Sequence, residues 1–248
     1  MTTNSEVRAG IHLPYEITEA RAGLHERRRN ALLSLVEFAA QHDKVAPGDF
    51  RILDVGCGRG EFMRHLRSKG FETEGVDLDP ECVAISQQYG PCQQSTVEEL
   101  PEKYDENAFD LIVASHVLEH TLSPLDAVQC LARASNKWLV LAVPNPVRPH
   151  ILLKNIMRKR YSNQGHVVAW DRSHFHNFLT EYAQLEIEKW QTDHVRLVSH
   201  SLMQKGVGRF SFGLVDYVEI KLLTRLFPFF SDSLIALCRV KSAPIQGE

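Results

Sequence analysis

The segment RILDVGCGRG at residues 51–60 constrains the fold more than any other part of the chain. Arg51–Val55 is a short apolar run, and three glycines at alternate positions follow it. Such a run is typical of a buried strand, while glycines let the backbone turn sharply and come close to a ligand. Apolar residues at helical spacing then predict a helix over residues 60–69. A strand, a glycine loop and a helix in this order indicate a βαβ unit that binds a ligand at the loop.

Strands and helices alternate through the first 146 residues. Further strands are predicted over residues 74–77, 109–115 and 138–143, and helices over residues 24–42, over residues 80–89 and beyond Ser123. Ser123 is placed as an N-cap and Pro124 as the first helical residue. Strands separated by helices predict a parallel sheet with helices on both faces.

Composition and charge narrow the classes of function. With 44% hydrophobic and 24% charged residues, the chain resembles an ordinary soluble globular protein. It contains no apolar run near the roughly 20 residues that span a bilayer, and its start lacks the pattern of a secretory signal. Five scattered cysteines fit reduced thiols, so we expect a cytoplasmic protein.

The charge is distributed unevenly along the chain. Residues 1–145 hold 14 Lys and Arg against 22 Asp and Glu, a net of −8, whereas residues 146–248 hold 14 against 9, a net of +5. The second part is therefore where we expect an anion to bind. It is not basic enough to predict nucleic-acid binding.

Residues 116–120, HVLEH, match the H-x-x-E-H pattern of one class of zinc proteases. In zinc sites of this kind, two histidines four apart on a helix share the metal. Here the segment follows a predicted strand and precedes the helix that starts after Ser123, so we place it in a loop. Loops at the carboxyl ends of parallel strands are where ligands bind in open α/β sheets. We therefore predict pocket histidines and no metal site.

The acidic residues around the glycine loop indicate the charge of the ligand. In the dinucleotide fingerprint G-x-G-x-x-G, a pyrophosphate lies on the helix N-terminus. Here the third glycine comes one residue early and Glu61 occupies its place, while Asp54 ends the strand. Both carboxylates oppose a pyrophosphate and suit a cation. Asp77 ends the second strand, where an acid binds the ribose hydroxyls. A cationic amino acid joined to a nucleoside is S-adenosylmethionine.

With these residues in place, the chain resembles the class I S-adenosylmethionine-dependent methyltransferases. The matching stretches, in order within residues 51–146, are ILDVGCGRGEF, GVDLDP, STVEELP, FDLIVASHVLEH and WLVLAVPNP. The resemblance implies a Rossmann-like, doubly wound α/β fold with a seven-stranded sheet, mostly parallel with the last strand antiparallel. It also implies S-adenosylmethionine as cofactor and S-adenosylhomocysteine as product.

The resemblance further implies one methyltransferase domain over residues 1–248. A helical segment, residues 1–50, precedes the cofactor-binding core of residues 51–146, and the sixth and seventh strands fall at residues 185–192 and 233–240. A helix is expected at residues 173–182 with Ser173 as its N-cap. The insertions 147–171 and 193–231 are then expected to cover the acceptor site.

The resemblance also assigns roles to individual residues. Asp54, Gly56, Cys57, Gly58 and Gly60 hold the methionine part of the cofactor, Asp77 holds the ribose, and Leu78 packs on the adenine. Thr96 and Val97 line the edge of the adenine, and Ser115 and His116 face the methionine end. Glu119 and His120 carry over as structural or pocket-lining residues and not as ligands. From its charge, Arg27–Arg29 is expected to be a solvated helix face, with contact to an anionic acceptor as the alternative.

The second half is expected to bind the acceptor. The first insertion carries five positive charges with no acid before Asp171: Arg148, Lys154, Arg158, Lys159 and Arg160. It fits a lid over an anionic acceptor, a helix on a membrane surface or an ordinary amphipathic surface helix. The apolar second insertion favours packing on the sheet or a homodimer contact.

Three histidines near Asp171 raise the question of a metal. His174 and His176 are two apart, and such positions on a helix face apart, so we prefer one histidine as an acid or base. His116 and His166 are the candidates for a general base. We expect methylation of a small molecule, at a hydroxyl oxygen of an anionic or sugar- or nucleotide-linked metabolite. An N- or C-methyltransferase remains open, as does a non-catalytic sensor or scaffold that binds the cofactor.

Overall fold

The computed structural model describes residues 19–156, 165–195 and 222–241. Its strands are β1 (Arg51–Val55), β2 (Glu72–Asp77), β3 (Cys92–Gln94), β4 (Phe109–Ser115), β5 (Ser135–Pro144), β6 (Glu186–Gln191) and β7 (Ser233–Arg239). Its α-helices are α1 (Glu19–Asp43), α2 (Glu61–Arg67), α3 (Pro80–Ser86), α4 (Leu100–Lys103), α5 (Pro124–Ala134), α6 (Pro149–Ile156), α7 (Arg172–Asn177) and α8 (Thr224–Leu226). Single 3₁₀ turns lie at Pro47–Asp49, Gln87–Tyr89, Leu118–His120 and Pro228–Phe230, and a π-helical turn lies at Phe178–Tyr182.

All seven strands form one sheet in the order β3-β2-β1-β4-β5-β7-β6. Strands β1 to β5 pair in parallel with one another, whereas β7 pairs antiparallel with both β5 and β6. This confirms the predicted seven-stranded, mostly parallel α/β sheet with an antiparallel last strand. The chain order reverses between β1 and β4, which leaves a crevice at their carboxyl ends where ligands bind in such sheets.

The sheet has a separate apolar core on each face. In β5, Trp138, Val140 and Ala142 pack with the buried side of α1, whereas Leu139, Leu141 and Val143 pack with α5 and α7. A strand that is buried on both faces has no polar alternation, which explains why its sequence is continuously apolar. Helices cover both faces, so the functional residues must lie at the edges formed by strand ends.

The structure differs from the sequence predictions in three local features. The short strand β3 was not predicted, because two of its three residues are exposed and it carries no apolar run. The N-cap of α7 is Asp171, not Ser173, since its Oδ1 accepts hydrogen bonds from the backbone of Ser173 and His174 at 2.9 and 3.0 Å. Ser123 occupies the N-cap position of α5, but its side chain makes no capping bond.

The predicted insertions are described only in part. The basic residues Arg158, Lys159 and Arg160 lie outside the described residues, as does most of the second insertion. The start of the first insertion forms α6, a short helix. Among the helices that the structure describes, none is both long enough and apolar enough to cross a membrane.

Candidate active site

The glycine loop follows β1 and is tied to β2. The backbone amides of Gly56 and Cys57 both donate to the carbonyl of Val76, at 2.8 and 3.1 Å. Gly56, Gly58 and Gly60 have φ values of 71°, 55° and 74°, a left-handed conformation that side chains rarely adopt. The alternating glycines therefore set the path of the loop.

Two of these glycines are also required by their neighbours. A Cβ atom at Gly56 would lie 2.6 Å from Val117 Cγ2, and one at Gly60 would lie 2.8 Å from Ser86 Cβ. A Cβ atom at Gly58 would meet no atom within 4 Å. The loop is thus packed at Gly56 and Gly60 and open at Gly58, as expected where a ligand approaches the backbone.

Asp77 connects the loop to the end of β2. Its Oδ2 accepts a hydrogen bond from the amide of Gly58 at 2.7 Å, and its Oδ1 accepts one from the amide of Asp79 at 2.9 Å. The carboxylate is almost fully buried. It is therefore held in a fixed orientation at the carboxyl end of β2, where the sequence predicted a ribose ligand.

Asp54 is a buried carboxyl group whose Oδ2 accepts no hydrogen bond from any described residue. Burial, together with the nearby charge of Asp77, raises the pKa of Asp54 to about 8. An unpaired buried carboxylate is costly unless a cation compensates it. The α-ammonium and sulfonium groups of S-adenosylmethionine supply such positive charge, so the residues of this loop fit that cofactor.

The residues predicted to bind the adenine lie at the ends of β2 and β3. Leu78 is half-buried, and its carbonyl accepts a hydrogen bond from Gln94 Nε2 at 3.0 Å. The amide of Thr96 donates to Glu99 Oε2 at 3.1 Å. Val97 is buried in the apolar core, so its side chain belongs to the interior. The structure thus places Leu78 and Thr96 beside the end of β2.

His116 lies directly after Ser115, the last residue of β4, with a φ value of 62° that is unusual for a residue with a side chain. Its amide donates to the carbonyl of Ala142 at 2.8 Å. Its Nε2 lies 2.7 Å from Arg28 Nη1 and 3.1 Å from Ser233 Oγ. Because an arginine can only donate, Nε2 accepts this bond and the neutral ring carries its proton on Nδ1.

This contact corrects the prediction of a solvated helix face at Arg27–Arg29, because Arg28 points to His116. Contact of this run with an anionic acceptor, the alternative from the sequence, stays a prediction. Arg28 reaches His116 and also contacts His25 Nδ1 at 2.8 Å, while Arg29 lies 3.8 Å from Glu61. Helix α1 therefore contributes a side chain to the site. The sequence signal was a run of three arginines on a helix with one buried face, which alone does not tell which of them faces a pocket.

Positive charge surrounds His116 on two sides. Burial, followed by the charges of Arg28 and Arg148, lowers the pKa of His116 well below its ordinary value. Arg148 is largely buried, its Nη1 lies 3.9 Å from Asp232 Oδ1, and its Nε donates to no described residue. The end of β4 beside His116 is thus cationic. Of its two arginines, Arg148 belongs to the second, net-positive part of the chain and Arg28 to the first.

The three histidines near Asp171 in the sequence, His166, His174 and His176, lie in different surroundings in the described part of the structure. His174 Nδ1 lies 2.7 Å from Asp171 Oδ2, and the ring of His176 stacks on Trp190. His166 instead packs edge-on against His120, with ring centroids 4.8 Å apart. The neighbouring amide of Val167 donates to the carbonyl of Glu119 at 2.7 Å, which holds this segment against the HVLEH stretch.

Sequence reasoning missed a buried polar group at the same edge of the sheet. Asp193, just after β6, accepts hydrogen bonds from the amides of His194 and Ser233 at 2.7 and 3.2 Å, and His194 Nε2 lies 3.2 Å from Asp232 Oδ2. Burial raises the pKa of Asp193. The signal that could have found these residues is an acid and a histidine directly after a predicted strand.

Comparison with known proteins agrees with this geometry. The family model described as a methyltransferase domain matches residues 24–189. A ubiquinone biosynthesis O-methyltransferase of Alkalilimnicola ehrlichii is 34% identical over 90 residues, which cover 34% of this chain and 36% of the relative. The mitochondrial enzyme of that name from Rattus norvegicus is 33% identical over 107 residues, 39% of this chain and 31% of the relative. The matches thus span about a third of the length of these relatives.

Solved structures share the fold over most of the chain. The magnesium protoporphyrin IX methyltransferase of Synechocystis, crystallised with S-adenosylhomocysteine, aligns with a TM-score of 0.60 at 16% identity and covers 95% of this chain and 93% of its own. A SAM-dependent methyltransferase of Archaeoglobus fulgidus aligns with a TM-score of 0.51 at 17% identity, covering 88% and 99%. With a family model that matches two thirds of its length, the chain belongs to the methyltransferase domain family, the class I S-adenosylmethionine-dependent methyltransferases.

Proposed function

We propose that this protein transfers the methyl group of S-adenosylmethionine to a hydroxyl oxygen of a small anionic molecule. The observation that carries the proposal is that two regions of opposite charge lie side by side at one edge of the sheet. The glycine loop follows an unpaired buried acid, Asp54 in β1, whereas the neighbouring end of β4 lies among the cations Arg28 and Arg148. The first environment suits the cationic cofactor, and the second suits an acceptor with a negative charge.

The chain's own residues supply binding and orientation. The glycine loop and Asp77 would hold the cofactor, which when bound supplies an electrophilic methyl group on its sulfonium. Arg28 and Arg148 would orient the acceptor, and holding two reactants in line is the largest contribution to a displacement of this kind. The curated relatives named above act at oxygen, which supports a hydroxyl acceptor for this chain.

A hydroxyl acceptor must lose its proton during or after methyl transfer. We propose His116 or His166 for this step, as the sequence predicted. His116 is neutral in the geometry described, and its Nε2 already accepts from Arg28, so an acceptor anion that draws Arg28 away would release that nitrogen. His166 packs against His120, four residues beyond His116, so both candidate bases lie at the HVLEH segment.

The test is a screen of acceptors with S-adenosylmethionine labelled in the methyl group. The panel pairs hydroxylated aromatic acids and sugar or nucleoside phosphates with their uncharged and amine analogues. We expect labelled product from anionic hydroxyl compounds and none from neutral partners. Transfer only to amines or carbon acids would show that the protein is an N- or C-methyltransferase. Cofactor binding with no transfer to any acceptor would favour the sensor or scaffold hypothesis.

A further inference from the structure

Glu119 is a buried acid that the proposed methyl transfer does not use. Its side chain is 1% exposed, and neither Oε1 nor Oε2 accepts a hydrogen bond from any other residue in the described part of the chain. Burial raises the pKa of Glu119 to about 8. Most buried polar groups in folded proteins have a hydrogen-bond partner, and a carboxyl group that lacks one is suited to bind an ion.

Two imidazoles lie beside this carboxyl group. One ligand atom each of Glu119, His120 and His166 lie within 4.8 Å of one another. His120 Nδ1 donates to the carbonyl of Gly165 at 3.0 Å, which leaves the lone pair on Nε2, 3.9 Å from Glu119 Oε1. A backbone hydrogen bond that fixes the tautomer and ring orientation is what metal-binding histidines typically have.

We propose that Glu119, His120 and His166 bind one divalent transition-metal ion. A ring nitrogen bound to the ion cannot also take a proton, so with this site filled the general base of the proposed methyl transfer is His116. Two imidazoles and one carboxylate are a ligand set suited to ions of the zinc, cobalt and iron(II) group, and three protein ligands leave a coordination position open. Ligands bound at about 2.0–2.2 Å from one ion lie roughly 3–3.5 Å apart, so the side chains must move inward. His120 has room to do so, because 45% of its side chain is exposed.

The site differs from the one that the H-x-x-E-H pattern suggested. His116, the first histidine of the pattern, is not part of the group; its Nδ1 lies 3.6 Å from Glu119 Oε1 and its Nε2 faces Arg28. The third ligand comes instead from His166, 46 positions beyond His120 in the sequence. An ion there would lie next to His116 and hence beside the acceptor end of the proposed active site.

Cobalt is the probe that tests the proposal most directly. The full chain is treated with EDTA, desalted and titrated with Co²⁺ while the visible spectrum is recorded. We expect one Co²⁺ per chain, with ligand-field bands but without the strong sulfur-to-cobalt bands of a thiolate site. Sulfur bands would assign the ion to the cysteines, of which Cys57 and Cys92 lie closest with 3.5 Å between their sulfurs, and would overturn the proposal.

Variants then identify the ligands. Glu119→Gln, His120→Ala and His166→Ala should each weaken Co²⁺ binding by about tenfold or more, since even groups that only support metal ligands contribute that much. His174→Ala is the matched control, because His174 is an exposed histidine that pairs with Asp171 outside the group, and it should bind Co²⁺ as the unmodified protein does. Affinity for S-adenosylhomocysteine, measured on every variant, reports an intact fold.

If the buried Glu119→Gln variant does not fold, the exposed His120→Ala variant decides the question. The proposal would be overturned if the unmodified protein did not bind one Co²⁺ per chain. It would also be overturned if the folded His120→Ala and His166→Ala variants bound Co²⁺ as tightly as the unmodified protein. Since the readout is ion binding, its failure is distinct from a failure of methyl transfer, which the acceptor screen measures.

Discussion

The guanidinium of Arg28 donates a 2.7 Å hydrogen bond to Nε2 of His116, across 88 residues of sequence. The bond joins the first described helix to the end of β4, at the switch point of the sheet. An arginine stays charged at all ordinary pH values, so this contact keeps the His116 ring neutral while placing a cation beside it. The two residues together therefore set the charge at the acceptor end of the proposed site.

The first prediction concerns the acceptor. Arg28→Gln and Arg148→Gln should each raise KM for an anionic acceptor by roughly 10- to 100-fold, since a hydrogen bond to a charged group contributes about 1.5–3 kcal/mol. Affinity for S-adenosylmethionine should not change. Steady-state kinetics measures the first quantity and calorimetry the second. Arg133→Gln is the control, because Arg133 pairs with Glu106 on the surface. An unchanged KM in both variants would show that these two arginines do not bind the acceptor.

The second prediction concerns Asp77. Asp77→Ala should weaken binding of S-adenosylhomocysteine by about tenfold or more, through loss of hydrogen bonds to the ribose. The same substitution should reduce the affinity for the 2′-deoxy analogue by a smaller factor, because that analogue lacks one of the two hydroxyls. Calorimetry with both ligands separates ribose binding from a general loosening of the loop through Gly58. Equal losses of affinity for the two ligands would contradict the ribose assignment. Asp105→Asn, at an exposed acid, serves as the control.

The third prediction follows from the raised pKa of Asp54. Because that pKa is about 8 in the folded protein against 3.8 ordinarily, the folded state binds the extra proton between these values. The free energy of unfolding of the ligand-free protein should therefore fall as pH rises through that range, and less so in Asp54→Asn.

The same shift should couple cofactor binding to proton release. A bound cation favours the ionised carboxylate, so S-adenosylmethionine should displace the proton of Asp54 below pH 8 and bind more tightly as pH approaches that value. Calorimetry in buffers of different ionisation enthalpy counts the released protons. If Asp54→Asn releases as many protons as the unmodified protein, Asp54 does not meet the cofactor's charge.

The fourth prediction concerns proton removal from the acceptor. His116→Ala or His166→Ala should lower kcat by about 10²–10⁴ if the residue is the general base, with little change in cofactor affinity. Single-turnover measurements at saturating cofactor test this without interference from product release. A loss of less than about threefold in both variants would exclude base catalysis by these histidines, since a general base contributes far more.

The fifth prediction concerns stability at a contact between α1 and β5. Burial would raise the pKa of Asp43, but hydrogen bonds from Lys137, His42 and Trp138 outweigh it and lower the pKa. The indole of Trp138 donates at 2.7 Å. Asp43→Asn should therefore cost about 1–3 kcal/mol of unfolding free energy near pH 7.

The sign of this shift sets its pH dependence. A lowered pKa stabilises the fold above pH 3.8, the ordinary value, and the effect is lost as pH falls through the folded value. Denaturant titrations at both ends of this range should show the cost of Asp43→Asn vanish in acid. Asp49→Asn, an exposed acid in the turn Pro47–Asp49, should show little cost at either pH. A cost that persists in acid would assign the effect to packing.

The parts of the fold that the sequence predicted well are those with a local cause. Strand β1, its glycine loop and α2 follow from an apolar run, a steric requirement for positive φ and helical spacing within about twenty residues. Strand β3 was missed because its pairing with β2 depends on a neighbouring strand and its own residues are polar. The position of β3 could therefore be found only from the assembled sheet.

The acceptor side of the site was harder to predict for the same reason. Arg28, Arg148 and Ser233 carry no motif of their own, and they meet only because distant segments return to one edge of the sheet. The pairing of His166 with His120 likewise depends on a segment that folds back over residue 119. Spacing along the sequence reports local geometry only, so it could set His174 and His176 apart on a helix but could not bring His166 to His120.

The residues on the cofactor side and on the acceptor side of the proposed site are distributed differently along the sequence, and this affects how such a protein can evolve. The glycine loop, Asp77 and Thr96 lie within one continuous stretch of about forty residues, whereas Arg28, Arg148, His166 and Ser233 belong to separate segments. Substitutions in those outlying segments leave the hydrogen bonds of the loop untouched. A lineage can therefore explore new acceptors by altering peripheral segments one at a time, while the machinery that supplies the methyl group is inherited as a unit.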